Sequence, residues 1–306
     1  IQQSLRHFFR NWSGRGGGGV AFSRTTRLDS VSSLKDRGGR DIALRARGEL
    51  APGYLRAQSF LEYDDGLWQI ASDPPTPLRT TDGRLVLPGR PAPSPEAGRS
   101  WQVHPTERYR KGYFLPLSAT AVTSGAEGAL AHPGGILVPE TEQTPERYEV
   151  WHTAVPVQGD DPSDYLLLPD HPALRDVLDR ILGTIDPVDP DPQYLVVALA
   201  SWFLEHYEYR FGIEFDPGRD PVLQFLTEHR HGHCELFASA GTLLLRRAGI
   251  LRGVTISKAQ NWDAYAHFTR TTEGNEGGAR ANKSGVSRQN AVHEGCVHLA
   301  EWTHPS

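Results

Sequence analysis

The chain has 306 residues, of which 38% are hydrophobic, and this is enough apolar sequence for the cores of two ordinary domains. Acidic residues number 37 against 32 lysines and arginines, so the formal net charge is −5. Because nucleic-acid binding requires a basic surface, this charge excludes nucleic acid as a partner.

The sequence shows neither a membrane span nor a secretory signal. No run approaches the roughly 18 consecutive apolar residues of a spanning helix, and no signal-peptide pattern opens the chain. Its two cysteines, Cys234 and Cys296, are too few for a disulfide framework and do not fix the redox compartment. Because the chain begins at Ile1 and contains no methionine, we expect a piece of a longer protein with any anchor or targeting signal upstream.

The first half of the chain is predicted to be an arm followed by strands. Residues 1–40 are rich in Gly, Ser and Arg, which is typical of a flexible arm or linker. Short apolar alternations then recur between Pro and Gly residues, and Asp65-Gly66 is typical of a hairpin turn, so we predict a β-rich domain over 41–157. This domain has no cluster of His, Cys or carboxylates, and we interpret its tryptophans and tyrosines as core residues rather than a ligand platform.

After the polar segment 158–162 the apolar period becomes helical. The pattern predicts one helix over Pro172–Leu182 and a second over Gln193–Tyr209, followed by an extended piece over Tyr209–Phe215. Helices that lead into a further helix, with strands expected after it, are typical of an α+β domain.

Cys234 lies at the first turn of the next predicted helix, for which Gly249 is a suitable C′ residue. The helix is predicted to be amphipathic, with a core-facing stripe of Leu236, Phe237, Ala240, Leu243, Leu244 and Ala248. The backbone N–H groups and the dipole at a helix start favour an anion, so a thiol there loses its proton more easily and becomes nucleophilic. The alternative is that Cys234 is a small hydrophobe buried in a core.

The chain resembles the transglutaminase-like superfamily, specifically its bacterial membrane-anchored branch, in which a β-rich segment precedes a papain-like core. The specific part is the motif Gly232-His233-Cys234-Glu235 with its helix. Further segments carry the resemblance from about residue 19 to about residue 270: Gly19–Ser23, Leu28–Leu34, Tyr54–Arg56, Tyr63–Trp68, Tyr165–Pro169, Asp220-Pro221, Phe225-Leu226 and Leu245–Ile250.

The resemblance implies acyl transfer or amide hydrolysis by a Cys-His-Asp triad that needs no cofactor. Cys234 would attack a carboxamide or peptide carbonyl of a protein or peptide substrate, a histidine would protonate the leaving nitrogen, and a carboxylate would orient the imidazole. The N–H of Cys234 would contribute to the oxyanion site. The family further implies a membrane-tethered parent protein at the extracytoplasmic face of a bacterial membrane.

The histidine and aspartate of this triad are not clearly present in the sequence. His267, 33 residues after Cys234, lies in the segment that resembles the region before the histidine strand, and it is our catalytic candidate. His293 and His298, with Glu294 or Glu301 as carboxylates, are weaker candidates. We therefore predict a transglutaminase-like core over 163–270 that is incomplete at its C-terminal end.

Residues 271–306 are predicted to be an atypical tail, because they are rich in Gly, Asn, Ser and Arg and contain no aspartate. Three explanations compete: an altered reading frame after about residue 270, a divergent inactive relative, or a genuine tail without the missing strands. We favour the altered frame.

Two further hypotheses stay open. His229, His231 and His233 alternate beside Cys234, and on an extended segment they could contribute ligands to a zinc site. The chain could also be a noncatalytic scaffold or interaction module that keeps the fold without the triad.

Overall fold

The computed structural model describes twelve stretches of the chain: 25–28, 42–48, 55–70, 72–90, 99–116, 118–123, 128–153, 167–185, 192–210, 212–249, 286–288 and 299–303. Strands fill the first half of these and helices the second, so the α+β class predicted from the sequence is confirmed. None of the described helices is long and apolar enough to span a membrane.

Fourteen short strands precede the first long helix within the described residues. In chain order they are β1 (Thr25–Arg27), β2 (Ile42–Arg47), β3 (Leu55–Arg56), β4 (Glu62–Asp64), β5 (Leu67–Gln69), β6 (Thr76–Pro77), β7 (Arg79–Thr81), β8 (Arg84–Val86), β9 (Arg99–Pro105), β10 (Leu115–Pro116), β11 (Ala119–Thr123), β12 (Ala129–His132), β13 (Ile136–Pro139) and β14 (Tyr148–His152). A 3-10 turn, Glu107–Tyr109, lies between β9 and β10.

The helical region then follows. Its elements are α1 (Pro172–Thr184), α2 (Pro192–His206), β15 (Glu208–Tyr209), α3 (Pro221–Gln224) with a π-helical turn (Phe225–His229), β16 (His231–Gly232) and α4 (Cys234–Arg247). Two more strands, β17 (Val286–Arg288) and β18 (Leu299–Thr303), come from the last part of the chain.

The largest sheet has eight strands in the order β17-β18-β2-β9-β14-β11-β8-β7. Its pairs are antiparallel except for β18, which runs parallel to β2. A second sheet, β1-β5-β4, contains a hairpin whose two-residue turn is Asp65-Gly66. Both turn residues have positive φ, 40° and 79°, as a type I′ turn requires, so the hairpin predicted there is confirmed.

Buried side chains form two hydrophobic clusters. One lies wholly within the β region and includes Trp101, Val103, Leu115 and Val150. The other joins the β4–β5 hairpin and strands β12 and β13 to the helices, with Trp68, Leu178 and Phe225 fully buried in it. Part of the β region is therefore packed directly on the helices. The domain limits at 41–157 and 163–270 stay predictions.

Candidate active site

The segment before Cys234 begins with a capped helix and an irregular turn. The Asp220 carboxylate accepts the N–H of Leu223 over 2.8 Å and caps α3, with Pro221 in the favoured first position. The helix then widens into the π turn, a local irregularity that is frequent at functional sites. It ends at Arg230, which has left-handed φ and ψ of 48° and 21°.

A short parallel strand pair then holds the chain extended up to the cysteine. Glu208 and Tyr209 pair with His231 and Gly232. The N–H of Glu208 donates to the Arg230 carbonyl over 2.9 Å, and the N–H of Arg210 donates to the Gly232 carbonyl over 2.8 Å. Since α2 stops at His206 to make this pair, the predicted helix over Gln193–Tyr209 is three residues too long.

Gly232 is the point of closest approach in this segment. A Cβ at position 232 would lie 2.7 Å from Cε2 of Phe225 and 3.1 Å from Cδ1 of Leu236. Distances under 3.0 Å are not tolerated without movement, and the neighbour here is a fully buried aromatic ring. A larger residue would therefore push the chain away from Phe225 two residues before the thiol.

Cys234 is the first residue of α4, as the sequence predicts. The N-cap residue His233 is extended, with φ −100° and ψ 173°, and its carbonyl accepts the N–H groups of Leu236 and Phe237. At the other end Gly249 has φ +69° and donates its N–H to the Arg246 carbonyl, which confirms its C′ role. A thiol in the first helical turn lies where N–H groups lack acceptors within the helix.

Helix α4 is buried on every side rather than on one face. All residues from Cys234 to Arg246 are buried, and Cys234 itself is 0% exposed. The amphipathic helix predicted from the sequence is therefore wrong in this respect. The reason is that the β4–β5 hairpin covers the face on which the polar residues Ser239 and Arg246 lie.

Two contacts on that face join the hairpin to α4. The indole N–H of Trp68 donates to the Ser239 hydroxyl over 2.8 Å, and both groups are buried. The Arg246 guanidinium lies 5.3 Å from the Trp68 ring and donates from Nη1 to the carbonyls of Leu61 and Leu167 over 2.7 and 2.8 Å. Burial lowers the pKa of Arg246 to about 10.

A third contact joins the hairpin to α3. The Tyr63 hydroxyl donates to both carboxylate oxygens of Asp220 over 3.0 and 2.9 Å. Burial, then the Asp220 charge, raises the pKa of Tyr63 well above its ordinary value, so this hydroxyl keeps its proton. Burial also raises the pKa of Asp220, although the bonds from Leu223 and Tyr63 act in the opposite direction.

The predicted partners of Cys234 lie outside the described residues. This holds for His267, His293, Glu294 and His298, and for the side chain of Glu301. Residues 250–285, which include the segment around His267, are outside them as a whole. Cys234 as nucleophile and His267 as its base therefore stay predictions.

The three histidines proposed as zinc ligands differ in their exposure to solvent. His229, at the end of the π turn, and His231, in β16, are partly exposed and have ring centroids 5.7 Å apart, whereas His233 is buried at the N-cap. Among the residues that the structure describes, no three His, Cys, Asp or Glu side chains are placed to hold a metal ion.

Comparison with known proteins identifies the helical region. The family model for the core of the transglutaminase-like superfamily matches residues 182–298, a span that contains α2, α3, Cys234 and α4. Residues 182–298 are therefore similar to the core of the transglutaminase-like superfamily. This match extends past Arg270, where the resemblance seen in the sequence ends.

Two solved structures match the fold over most of the chain. Both are periplasmic domains of TgpA from Pseudomonas aeruginosa, one of them bound to ethylmercury. Their TM-scores are 0.53 for the ethylmercury complex and 0.55 for the other, at 22% identity, and each match covers 75% of this chain. The matches cover 80% and 78% of the respective TgpA chains. A search of curated proteins finds no match.

The contacts of several residues around the Cys234 helix are not predicted by the sequence analysis, although most of these residues lie in segments that carry the family resemblance. They are Tyr63, Trp68, Asp220, Ser239 and Arg246, which connect the hairpin to α3 and α4. One local signal is that Ser239 and Arg246 lie seven residues apart in the Cys234 helix, which places these two polar side chains on the same face.

Proposed function

We propose that the chain performs cysteine-dependent acyl transfer or amide hydrolysis with Cys234 as nucleophile. The observation that supports this most is the position of Cys234 at the first residue of a buried helix, inside the region matched by the family model. A helix start stabilises a thiolate, and the preceding contact of Gly232 with Phe225 fixes where that start lies.

The proposed reaction has two steps. The Cys234 sulfur attacks the carbonyl carbon of a carboxamide, the C–N bond breaks, and the nitrogen leaves as ammonia or an amine with a proton from the histidine. The resulting thioester is then resolved by an amine or by water, whose proton returns to the histidine. The Cys234 N–H would stabilise the oxyanion of both steps. We assign the histidine to His267.

We place this activity at the extracytoplasmic face of a bacterial membrane. The support is that both matching structures are periplasmic domains. A protein or peptide is the proposed substrate, and a membrane tether would come from segments of the parent protein that this chain does not include.

Acylation by a small activated ester tests the proposal without a known substrate. We expect p-nitrophenyl acetate to release a burst of nitrophenolate and to leave one acetyl group on the peptide that contains Cys234. Cys234→Ala should abolish both signals, whereas Cys296→Ala should retain them. Mercury is a soft metal that favours thiolate ligands, so treatment with ethylmercury beforehand should block the burst.

A second candidate function is a noncatalytic scaffold, and one observation favours it. Cys234 is 0% exposed, and complete burial is typical of inert structural cysteines. If the ester gives no burst and no acetyl group on Cys234 while the chain is folded, the scaffold is the correct interpretation.

A further inference from the structure

The hairpin β4–β5 contacts both helices that flank the cysteine segment. Tyr63 binds Asp220 at the start of α3, and Trp68 binds Ser239 in α4. At the hairpin turn a Cβ on Gly66 would lie 2.7 Å from Cγ of Pro221, so the turn itself packs closely on α3. One hairpin therefore contacts both α3 and α4, the helices between which residues 230–233 run.

The contacts on α4 are spaced along the helix. Ser239 and Arg246 are seven residues apart, about 10 Å along the axis and on nearly the same face. Trp68 contacts both residues. Its indole N–H donates a hydrogen bond to the Ser239 hydroxyl, and its ring lies beneath the Arg246 guanidinium. Two points of contact along one face restrict rotation of a helix about its own axis.

Ser239 and Cys234 point in different directions from that axis. Five residues at about 100° each place the Ser239 side chain about 140° around the helix from Cys234. The Trp68 hydrogen bond to Ser239 therefore lies on a different side of α4 from the Cys234 side chain. Trp68 contacts α4 at Ser239 and Arg246.

We infer that Trp68 is a positioning residue, whose hydrogen bond to Ser239 fixes the rotation of α4 and thereby the environment of the Cys234 thiol. This inference rests on the proposed role of Cys234 as nucleophile. If Trp68 has this role, the β region takes part in the function of the Cys234 helix, although Trp68 lies 171 residues from Ser239 in sequence.

The test compares the alkylation rate of Cys234 by iodoacetamide across pH in the full chain, with peptide mass spectrometry to separate Cys234 from Cys296. Trp68→Phe removes the donor and Ser239→Ala removes the acceptor. Trp151→Phe is the matched control, because the Trp151 N–H also donates to a hydroxyl, that of Thr123 over 3.0 Å, but between β14 and β11 of the eight-stranded sheet.

We expect Trp68→Phe and Ser239→Ala each to slow alkylation at pH 7 by about fivefold, the factor that one ordinary hydrogen bond supplies. The midpoint of the pH profile should rise in both variants and stay unchanged in Trp151→Phe. A merely structural role would lower the urea midpoint of unfolding without moving the pH profile. Ser239→Ala deletes one oxygen and favours a helix, so it keeps the test decisive if Trp68→Phe does not fold.

The two possible failures can be told apart. A wild-type Cys234 that reacts rapidly, with unchanged pH profiles in both variants, overturns the positioning role alone. A wild-type Cys234 that reacts no faster than the cysteine of a model peptide overturns the proposed nucleophile and the positioning role together.

Discussion

The ring of Phe225 occupies the space that a side chain at position 232 would need. Cε2 of Phe225 lies 2.7 Å from the position of a Cβ on Gly232, two residues before Cys234. Phe225 is itself fully buried and contacts the ring of Phe237 in α4 with centroids 5.0 Å apart. The glycine of the Gly-His-Cys motif is thus required by packing between the π turn and α4.

Gly232→Ala should destabilise the protein and slow the reaction of Cys234. The added methyl must displace a buried ring, and overpacking of this kind costs about 1–3 kcal/mol. The urea dependence of unfolding gives this cost. Gly183→Ala in α1 is the matched control, because a Cβ there meets no atom within 4 Å. In that exposed helical position alanine should stabilise by about 1 kcal/mol. Equal effects of the two variants would contradict the packing argument.

Tyr63→Phe should lower the free energy of unfolding near neutral pH, and it should lower it by less in acid. Burial raises the pKa of Asp220, and the Tyr63 hydrogen bond opposes that increase, so the pKa should rise further in the variant. A carboxyl whose pKa is higher in the folded state contributes its stability at low pH and loses it as the pH rises through the folded value. We expect a loss of about 1–3 kcal/mol at pH 7 that shrinks towards pH 4.

Chemical denaturation at several pH values measures the Tyr63 effect. Asp220→Asn provides the control, since an amide oxygen still caps α3 but does not titrate. In that background the cost of Tyr63→Phe should no longer depend on pH. A cost that is the same at pH 4 and pH 7 in the parent chain would show that Asp220 does not mediate it.

The neighbouring arginines at the end of α4 should behave differently. Arg246 is 3% exposed and donates to two backbone carbonyls, whereas Arg247 forms an exposed ion pair with Asp179 over 2.6 and 2.8 Å. Arg246→Ala leaves both carbonyls without this donor and should cost about 3 kcal/mol. Arg247→Ala should leave the urea midpoint nearly unchanged, because exposed pairs contribute little. Comparable losses in the two variants would refute this assignment.

The sequence predicts local features of this fold better than contacts between distant segments. The Asp65-Gly66 turn and the helix end at Gly249 require positive φ at those residues. Glycine and aspartate adopt positive φ more readily than most residues, so the sequence indicates both features. The position at which α2 ends depends on a more distant segment, because Glu208 and Tyr209 pair with residues of β16 instead of continuing the helix. The burial of α4 on every side depends in the same way on Trp68, which is distant in sequence.

His267→Gln should slow the alkylation of Cys234 at pH 7 if His267 holds the thiolate as an ion pair. An ordinary thiol with a pKa of about 8.5 is only a few per cent ionised there, so we expect a loss on the order of tenfold. The rate should recover above about pH 9, where the thiol ionises unaided. His293→Gln and His298→Gln serve as controls and should react like the parent chain. Loss of rate in either of these variants instead would move the catalytic assignment away from His267.

The most direct test is the rate at which iodoacetamide alkylates Cys234 as a function of pH, read on the Cys234 peptide. A nucleophilic thiolate at the start of α4 predicts a rate at pH 6–7 at least about tenfold above that of a model cysteine peptide, with a midpoint below about 8. A rate equal to or below that of the peptide in the folded chain, with a midpoint at or above about 8.5, would contradict it and leave Cys234 a structural residue of the helix.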